Sequence, residues 1–431
     1  MADAGVLLLQ GVVQHYDWGG HNFIPDLLGI ENATRKPFAE LWIGAHAKAP
    51  SIVELGGAEE PLDTLIAKAP AAILGSAASL HFNGRLPYLL KILDVKKMLS
   101  IQAHPTLAQA RHGFARENAE GIPLEASNRN YKDDNHKPEI GVALTEFWML
   151  HGFRPLEQIA GMFGQTPELS SLLPDLPHRL AEAHHDHEAR RGLLRELYSS
   201  VMTMPQERVD LLLNTLLSRL RAKPTTDKDS PDYWALRAAD NFPLPGEHRD
   251  RGIFSVYLLN LIHMRPGQGT FQPAGVLHAY LEGVNVELMA NSDNVLRGGL
   301  TTKHVDVPAL LNILTFEGGT PEVFEGSMVS GHERVYRTPA EEFELSRLSL
   351  APHSRYAGDA SYGPKALLVL QGSGTLTAAS RSTNLSRGSI GLVPCGTQFV
   401  IEMETEMPGK TRTEELVVFQ AGLPRHARGA T

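Results

Sequence analysis

The chain has 431 residues, of which 42% are hydrophobic and 21% are charged, so its composition is that of a globular protein with room for two or three domains. Acidic residues outnumber basic residues by 49 to 40, and the formal net charge of −9 argues against a general nucleic-acid binder. Cys395 is the only cysteine, which excludes an intrachain disulfide and a cysteine-based zinc site and fits a reducing compartment.

The first residues predict a β-strand and not a targeting segment. Residues 1–13 contain a short apolar run that has no basic residues before it and no small-residue cleavage pattern. No stretch approaches the roughly 20 apolar residues that a membrane-spanning helix needs. We therefore expect a cytoplasmic protein without a membrane partner.

Residues 1–154 are rich in turn residues and short apolar runs, which predict strands with a few short helices. The expected strands lie at 39–44, 88–93 and 140–150, and the expected helices lie around 61–69 and 106–118.

The pattern changes between residues 155 and 260, where leucines recur at helical spacing. Leu193, Leu194 and Leu197 are an example, and Ser230 before Pro231 has the form of a helix N-cap followed by proline at the first helical position. This block predicts a helical insertion.

A weak internal repeat marks the strand-rich remainder of the chain. Gly267, Pro273 and Gly275 precede His278 at intervals that recur before Phe399, where the corresponding residues are Gly388, Pro394 and Gly396. The pattern resembles the second sequence motif of the cupin superfamily, whose members are small jelly-roll β-barrels. Two such matches predict two jelly rolls, of which only the first has a metal-binding histidine.

The expected fold is therefore mainly β with a helical insertion, built from two cupin-type jelly-roll barrels and an all-α domain. The expected domains are a catalytic cupin domain at 1–154 and 261–318, a helical domain at 155–260, and a C-terminal cupin-like domain at 319–431, which we expect to be structural.

Candidate metal ligands occur at separate places in the sequence. Gln102 and His104 alternate along a predicted strand, so their side chains point to the same side. By the same period of two, Lys137 and Glu139 share a face and His136 lies opposite.

Catalytic zinc sites usually have three nitrogen or oxygen ligands and an open position. His104, Glu139 and His278 supply such a set, and Gln102 adds a neutral oxygen. The alternatives at this point are ordinary core or surface histidines, a glutamine that only hydrogen-bonds, and a solvated Glu139.

Two further features have a simpler interpretation. His184, His185 and His187 lie in a charged helical segment and predict a solvated helix face, not a metal site. Arg297 lies in a glycine-rich stretch that permits close approach of a ligand, and its alternative is a surface or salt-bridged arginine.

Five motifs resemble, in order, those of the type I mannose-6-phosphate isomerases. The resemblance runs across most of residues 11–310 and is weaker in the helical block and the C-terminal region. The motifs are YDWG at 16–19, AELWIGAH at 39–46, LSIQAHP at 99–105, YKDDNHKPE at 131–139 and the stretch 273–303.

The resemblance implies a zinc-dependent aldose–ketose isomerase that interconverts mannose 6-phosphate and fructose 6-phosphate through an enediol, with one Zn²⁺ per chain. It places the zinc ligands at Gln102, His104, Glu139 and His278, and the catalytic arginine at Arg297. It also implies further pocket residues, which are Lys91, Ser100, His136, Lys137, Glu287 and Asp293.

The implied chemistry suggests roles for these residues. Arg297 cannot easily give up its proton, so we expect it to stabilise charge and not to act as a base. The proton-transfer group is open between Glu287, Lys137 and the pair of His136 with Asp293. Lys91 and Ser100 are the expected contacts of the 6-phosphate. The ammonium of Lys91 would supply a point charge, and the hydroxyl of Ser100 would donate a hydrogen bond.

The expected partner is a small sugar phosphate, with no nucleic acid or membrane involved and a monomeric or weakly homo-oligomeric chain. The competing functions are an isomerase of another sugar, a non-catalytic sugar- or metal-binding cupin, and an oxidative cupin. Arg297, Lys137 and Glu287 disfavour a binding module, which has no need of such titratable groups beside its ligands.

Overall fold

The computed structural model describes residues 5–55, 57–184, 186–379, 381–403 and 415–425. Its strands, β1 to β23 in chain order, are Leu7–Gln10, Val12–Gln14, Glu40–Gly44, Ile52–Leu55, Ala58–Pro61, Tyr88–Val95, Ile101–Ala103, Glu139–Ala143, Phe147–Phe153, Leu259–Met264, Gly269–Gln272, His278–Ala290, Leu296–Gly299, Ser327–Met328, Glu333–Tyr336, Glu344–Leu350, Arg355–Asp359, Lys365–Gln371, Ser373–Ala378, Arg381–Ser386, Ile390–Val393, Gln398–Met403 and Leu416–Gly422. Its α-helices, α1 to α13, are Phe23–Leu28, Leu62–Lys68, Pro70–Leu74, Ser76–His81, Leu107–Ala119, Leu156–Gln165, Pro167–Ser170, Leu176–Ala183, His187–Thr203, Gln206–Ala222, Pro231–Asn241, Gly252–Leu258 and Val307–Ile313. A 3₁₀ helix spans Pro245–Glu247.

Helix and strand contribute almost equally, with 32% strand and 30% helix, so the prediction of a mainly β chain is corrected to a mixed one. Helices α1 to α5 and α13, which lie outside the predicted helical block, add to the helix content. The strands form sheets of nine, ten and four strands, in the orders β14-β15-β16-β23-β18-β21-β1-β4-β5, β10-β9-β12-β6-β3-β2 with β7, β8, β11 and β13 attached, and β17-β22-β19-β20. Within the described ranges none of these sheets closes on itself, so the predicted closed barrels are not found.

The block from α6 to α12 consists of helices, as the leucine spacing predicted. Helix α9 buries Leu193, Leu194 and Leu197 on one face. Helix α11 begins where the Ser-Pro pair indicated, because the hydroxyl of Ser230 accepts a hydrogen bond from the backbone N–H of Asp232. Among the described residues we find no helix with the length and apolar character that a membrane crossing requires.

The histidine-rich segment is not one continuous helix, which corrects that prediction. Helix α8 ends at Ala183, and His184 has a φ of 39°, a conformation that L residues rarely adopt. Asp186 then caps α9, because its carboxylate accepts a hydrogen bond from the N–H of Ala189 at 3.0 Å. His185 lies outside the described residues.

The internal repeat has the same backbone form in both copies. Gly275 has a φ of 76° and leads into β12, and Gly396 has a φ of 83° and leads into β22. His278 at the start of β12 is fully buried, whereas Phe399 packs into the apolar core of the C-terminal strands. The two turns therefore share a backbone conformation, but different side chains follow them.

We expect Gly275→Ala to destabilise the protein much more than Gly396→Ala. Both substitutions force an L residue into the left-handed region, which costs about 1–2 kcal/mol. A Cβ at Gly275 would also meet the carbonyl oxygen of Ile313 and a methyl group of Thr315 at 2.8 Å, while a Cβ at Gly396 meets nothing within 4 Å. The expected loss of unfolding free energy is more than about 3 kcal/mol for Gly275→Ala and about 1–2 kcal/mol for Gly396→Ala.

Chemical denaturation of the two variants measures this difference directly. Equal losses would mean that the close approach at Gly275 is relieved by movement of its neighbours. The N–H of Gly275 donates to the carbonyl oxygen of His104 at 2.8 Å, so strain at this turn also reaches a candidate metal ligand.

The N-terminal and C-terminal parts share a core. Strand β1 pairs with β21, with Leu7 opposite Leu392, and one apolar cluster contains Leu90 together with Phe343. The hydroxyl of Tyr336 donates to the carbonyl oxygen of Gly267 at 2.9 Å, across the predicted division at 318–319. Any movement of the C-terminal strands is therefore felt at the turn before His278.

Candidate metal centre

Strand β12 brings the candidate ligands together because it pairs with several strands. His278 at its start lies opposite Gln102 of β7, and Met289 near its end lies opposite Glu139 of β8. Gln102 in turn lies opposite Arg297 of β13. Residues that are far apart in sequence thus meet within one sheet, around its interior strand β12.

His104, Glu139 and His278 form a tight group. One nitrogen or oxygen atom from each lies within 4.8 Å of the others. The Nε2 atom of His104 is 3.4 Å from one Glu139 oxygen, and the Nε2 atom of His278 is 3.3 Å from the other. None of the three residues is more than 1% exposed.

Backbone carbonyls fix the tautomer of both histidines. The Nδ1–H of His104 donates to the carbonyl oxygen of Asn294 at 2.8 Å, and that of His278 donates to the carbonyl oxygen of Val276 at 3.1 Å. A carbonyl can only accept, so each Nε2 atom has a free lone pair. This arrangement is usual for histidines that bind a metal.

The free atoms of the group have no other partner. The Nε2 atoms of His104 and His278 and the Oε2 atom of Glu139 are buried and have no hydrogen-bond partner within the described part of the chain. Leaving buried polar atoms unpaired costs about 1–3 kcal/mol each. The residues fit a bound divalent cation, and two imidazole nitrogens with one carboxylate suit zinc.

The ionisation of the group also suits a metal. Burial lowers the pKa of His104 to about 4, so its imidazole is neutral at physiological pH. For Glu139 burial acts to raise the pKa, but Lys137 and His104 outweigh it and hold the pKa well below its ordinary value. Neutral imidazole and ionised carboxylate are the forms that bind a metal.

Lys137 lies beside the metal group, as the strand alternation predicted. Its Nζ atom is 2.9 Å from Glu139, and His136 points elsewhere, with its Nε2 atom 2.6 Å from Glu342. Asp293 contacts Lys48 at 2.9 Å and lies near His46. The structure therefore gives His136 and Asp293 separate partners, which corrects their treatment as a pair.

Lys91 and Glu287 form a buried ion cluster with Glu40. The Nζ atom of Lys91 is 3.2 Å from Glu287 and 3.5 Å from Glu40, and Lys91 is only 6% exposed. Burial raises the pKa of Glu287, although Lys91 opposes the shift. Burial alone would lower the pKa of Lys91, but Glu40 and Glu287 raise it above its ordinary value, so this lysine stays charged.

Arg297 is not a salt-bridged arginine. Within the described ranges its guanidinium has no hydrogen bond and no carboxylate within ion-pair distance, and burial lowers its pKa. Lys303 lies in the same cationic surroundings, since burial, Arg297, Lys132 and Lys48 all lower its pKa. Ser100 is half-buried and immediately precedes β7.

Sequence reasoning assigned no role to Asn294, which organises the loop before Glu139. This fully buried side chain donates to the carbonyl oxygens of Asp133 and Asn135 at 2.8 Å and accepts from the N–H of Lys132 at 2.7 Å. Its own carbonyl holds His104. The only signal in the sequence was its place three residues before Arg297.

A second layer of polar side chains was also missed. Gln272 lies opposite Glu139 in the β8–β11 ladder, and His151 lies opposite His278 in the β9–β12 ladder. Both Gln272 side-chain polar atoms and the Nδ1 atom of His151 are buried without a partner among the described residues. Ordered water is the usual partner of such atoms. In the sequence, these two residues could have been noticed as a glutamine and a histidine within otherwise apolar strands.

Comparison with known proteins shows which family this chain resembles. Residues 6–156 match the family described as phosphomannose isomerase type I, catalytic domain. The chain is 36% identical over 379 residues to a mannose-6-phosphate isomerase of Escherichia coli strain K12, which covers 87% of this chain and 91% of that protein. It is 32% identical over 440 residues to a mannose-6-phosphate isomerase of Homo sapiens, which covers 98% and 99%.

A solved structure extends the likeness to the fold. A zinc-bound crystal structure of mannose 6-phosphate isomerase superimposes with a TM-score of 0.83 and 32% identity, covering 97% of this chain and 100% of that one. The likeness therefore includes the helical block and the C-terminal strands.

Proposed function

The chain belongs to the type I mannose-6-phosphate isomerase family, and we propose that it interconverts mannose 6-phosphate and fructose 6-phosphate with one zinc ion per chain. The observation that carries this proposal is the convergence of three buried ligand atoms, from His104, Glu139 and His278, that have no hydrogen-bond partner among the described residues. A purely structural cluster would have paired these atoms with each other or with neighbouring residues.

We assign the metal ligands to His104, Glu139 and His278, with Gln102 as the fourth. The register that places Gln102 opposite His278 supports the fourth assignment. When bound, zinc supplies Lewis-acid stabilisation of negative charge on the sugar oxygens. The carbonyls of Asn294 and Val276 keep the two imidazoles oriented for it.

The reaction moves a proton between C1 and C2 through an enediol. The guanidinium of Arg297 has no ion-pair partner within the described ranges, so it is available to stabilise the negative charge that develops on the sugar. Glu287 stays among the proposed bases: burial raises its pKa, and its carboxylate is held by the ammonium of Lys91 at 3.2 Å and by the hydroxyl of Tyr280 at 2.9 Å. Lys137 is held against Glu139 at 2.9 Å, which favours orientation of the metal ligand as its main role.

Binding of the 6-phosphate has two candidate sites. Lys91 and Ser100 were expected from the resemblance, but the ammonium of Lys91 is engaged by two buried carboxylates. The cations grouped with Arg297 are Lys48, Lys132 and Lys303. Since Lys303 has no carboxylate partner among the described residues, we propose it as the stronger phosphate contact, with Ser100 as a hydrogen-bond donor.

We expect Lys303→Ala to raise the KM for mannose 6-phosphate about 10-fold or more, which corresponds to the loss of about 1.4 kcal/mol from a charge-assisted contact. Its turnover at saturation should change little, because the phosphate is remote from C1 and C2. Lys91→Ala should instead lower turnover, because it leaves Glu40 and Glu287 buried without their cation. Steady-state kinetics of the two variants separates the sites, and the opposite pattern would assign the phosphate to Lys91.

We further propose that the two copies of the glycine turn belong to two cupin-type jelly rolls, with the domain limits expected from the sequence. The similar φ angles at the paired glycines support this relation. A cytoplasmic monomer or weak homo-oligomer remains part of the proposal, and sedimentation analysis tests the oligomeric state.

A substrate panel tests the function itself. The purified chain should isomerise mannose 6-phosphate and show little activity on mannose, because the cation group near Arg297 would then have no anion to bind. Equal activity on both sugars would favour an isomerase of unphosphorylated sugars. Sugar binding without turnover would favour a binding module, and oxygen consumption would favour an oxidative cupin.

A further inference from the structure

The backbone and the side chain of Asn294 hold two different parts of the metal centre. Its carbonyl oxygen accepts a hydrogen bond from Nδ1–H of His104 at 2.8 Å. Its side chain is fully buried and bonds to the segment 132–135, which precedes Glu139 at the start of β8. One residue therefore contacts both a metal ligand and the chain segment that leads to a second ligand.

The amide of Asn294 uses both of its donors and its acceptor in this contact. Its Nδ2 group donates to the carbonyl oxygens of Asp133 and Asn135, both at 2.8 Å, and its Oδ1 atom accepts from the N–H of Lys132 at 2.7 Å. Because all of these groups are engaged, the bonds fix the orientation of the amide as well as its position. An aspartate in the same place could accept but could not donate to the two carbonyls.

Ser292 and Asp133 reinforce the connection. The hydroxyl of Ser292, which is 3% exposed, donates to Asp133 at 2.7 Å and accepts from the N–H of Asn294 at 3.2 Å. The N–H of Asp293 donates to the other carboxylate oxygen of Asp133 at 2.7 Å. Polar networks whose members are all paired rigidify their surroundings. The segments 132–135 and 292–294 are therefore held firmly to each other.

This connection joins two strands that are not neighbours in the sheet. Among the described strands, β7 pairs with β12 and β13, whereas β8 pairs with β11 and β12. The Nε2 atom of His104, which follows β7, nevertheless lies 3.4 Å from Glu139 of β8. Strand β12 provides one link between them, and Asn294 provides a second, because it bonds to His104 and is held to the segment that enters β8.

We propose that Asn294 is a positioning residue of the metal centre, which sets the spacing between His104 and Glu139 and so raises the affinity for zinc. Its carbonyl fixes the tautomer of His104, and its side-chain amide fixes the approach to Glu139. Residues that orient metal ligands typically contribute about 10–100-fold to metal affinity. This inference deepens the zinc site of the proposed function and rests on it.

Asn294→Ala tests the proposal, because it removes the three side-chain bonds and keeps the backbone carbonyl that holds His104. We expect the Kd for Zn²⁺, measured by competition with a chelator of known affinity, to rise about 10–100-fold. Asn294→Asp keeps the shape of the side chain but loses both donors, and it places a second carboxylate where Nδ2 lies 3.2 Å from Asp133. Its Kd should rise at least as much.

Asn32→Ala is the matched control, because Asn32 makes the same pattern of bonds in another loop. Its Nδ2 group donates to the carbonyl oxygens of His21 at 2.9 Å and Lys36 at 2.8 Å, and its Oδ1 atom accepts from the N–H of Lys36 at 3.0 Å. None of these residues belongs to the metal group, so Asn32→Ala should keep the wild-type Kd for Zn²⁺.

Ser292→Ala is a milder variant of the same connection. It removes the hydroxyl that joins Asp133 to the N–H of Asn294, so the Kd should rise by less than in Asn294→Ala. The thermal midpoint of each metal-free variant should be measured first, and the zinc titrations made well below it, so that every variant is folded when zinc is added.

The outcomes are distinct. A wild-type Kd in folded Asn294→Ala would overturn the positioning role, and so would an equal rise in Asn32→Ala, which would show that lost loop bonds act through general stability. If Asn294→Ala does not fold, Ser292→Ala decides, and an unchanged Kd there overturns the proposal. A wild-type chain that binds zinc without isomerising mannose 6-phosphate would instead refute the proposed function, and the comparison of zinc affinities would still stand.

Discussion

We expect His278→Ala to abolish stoichiometric metal binding and to lower turnover of mannose 6-phosphate by more than about 100-fold, since even residues that only support metal ligands contribute about 10–100-fold. The reason is geometric. His278 supplies one of the three donor atoms that lie within 4.8 Å of one another, and its Nε2 atom is buried without another partner. Without this imidazole, Glu139 keeps His104 and Lys137 as its ion-pair neighbours among the described residues.

The matched control is His178→Ala, because the His178 side chain is 77% exposed in the helical block. Metal content by mass spectrometry, turnover by a coupled assay and the thermal midpoint should be measured on both variants. A His278→Ala enzyme that retains one zinc per chain and wild-type turnover would exclude His278 as a ligand.

Arg297→Ala should lower kcat by about 100- to 1,000-fold, the effect of removing one preorganised group that stabilises charge in the transition state. Zinc content should remain at one per chain, because Arg297 faces Gln102 across the β7–β13 ladder without being a ligand itself. No carboxylate among the described residues neutralises this guanidinium, so its charge is available to the substrate.

Arg297→Lys provides the companion variant. It keeps a positive charge but loses the planar fork of the guanidinium, so we expect turnover between those of the alanine variant and the wild type. Loss of zinc in Arg297→Ala would show instead that the arginine supports the structure of the metal site. Turnover within about twofold of the wild-type value would remove it from the mechanism.

The local parts of the site could be predicted from the sequence because they depend on short-range rules. Period-two alternation predicted that Lys137 would lie with Glu139 and that His136 would point away. The spacing of glycines predicted one turn geometry before both His278 and Phe399, and leucine spacing predicted the helical block. Each of these inferences uses residues within a few positions of one another.

The parts that depend on tertiary packing could not be predicted. Nothing near Lys91 in the sequence indicates that two distant carboxylates, Glu40 and Glu287, enclose its ammonium. The contact between His136 and Glu342 joins two residues outside the strands that are 206 positions apart in the sequence. The resemblance named the pocket residues, but it could not say which of them contact each other.

The most direct test of the central claim is metal removal followed by reconstitution. Dialysis of the purified wild-type chain against a chelator should abolish interconversion of mannose 6-phosphate and fructose 6-phosphate, and one equivalent of Zn²⁺ per chain should restore it. Full activity in a chain verified to hold no metal would contradict the claim that His104, Glu139 and His278 form a catalytic zinc site.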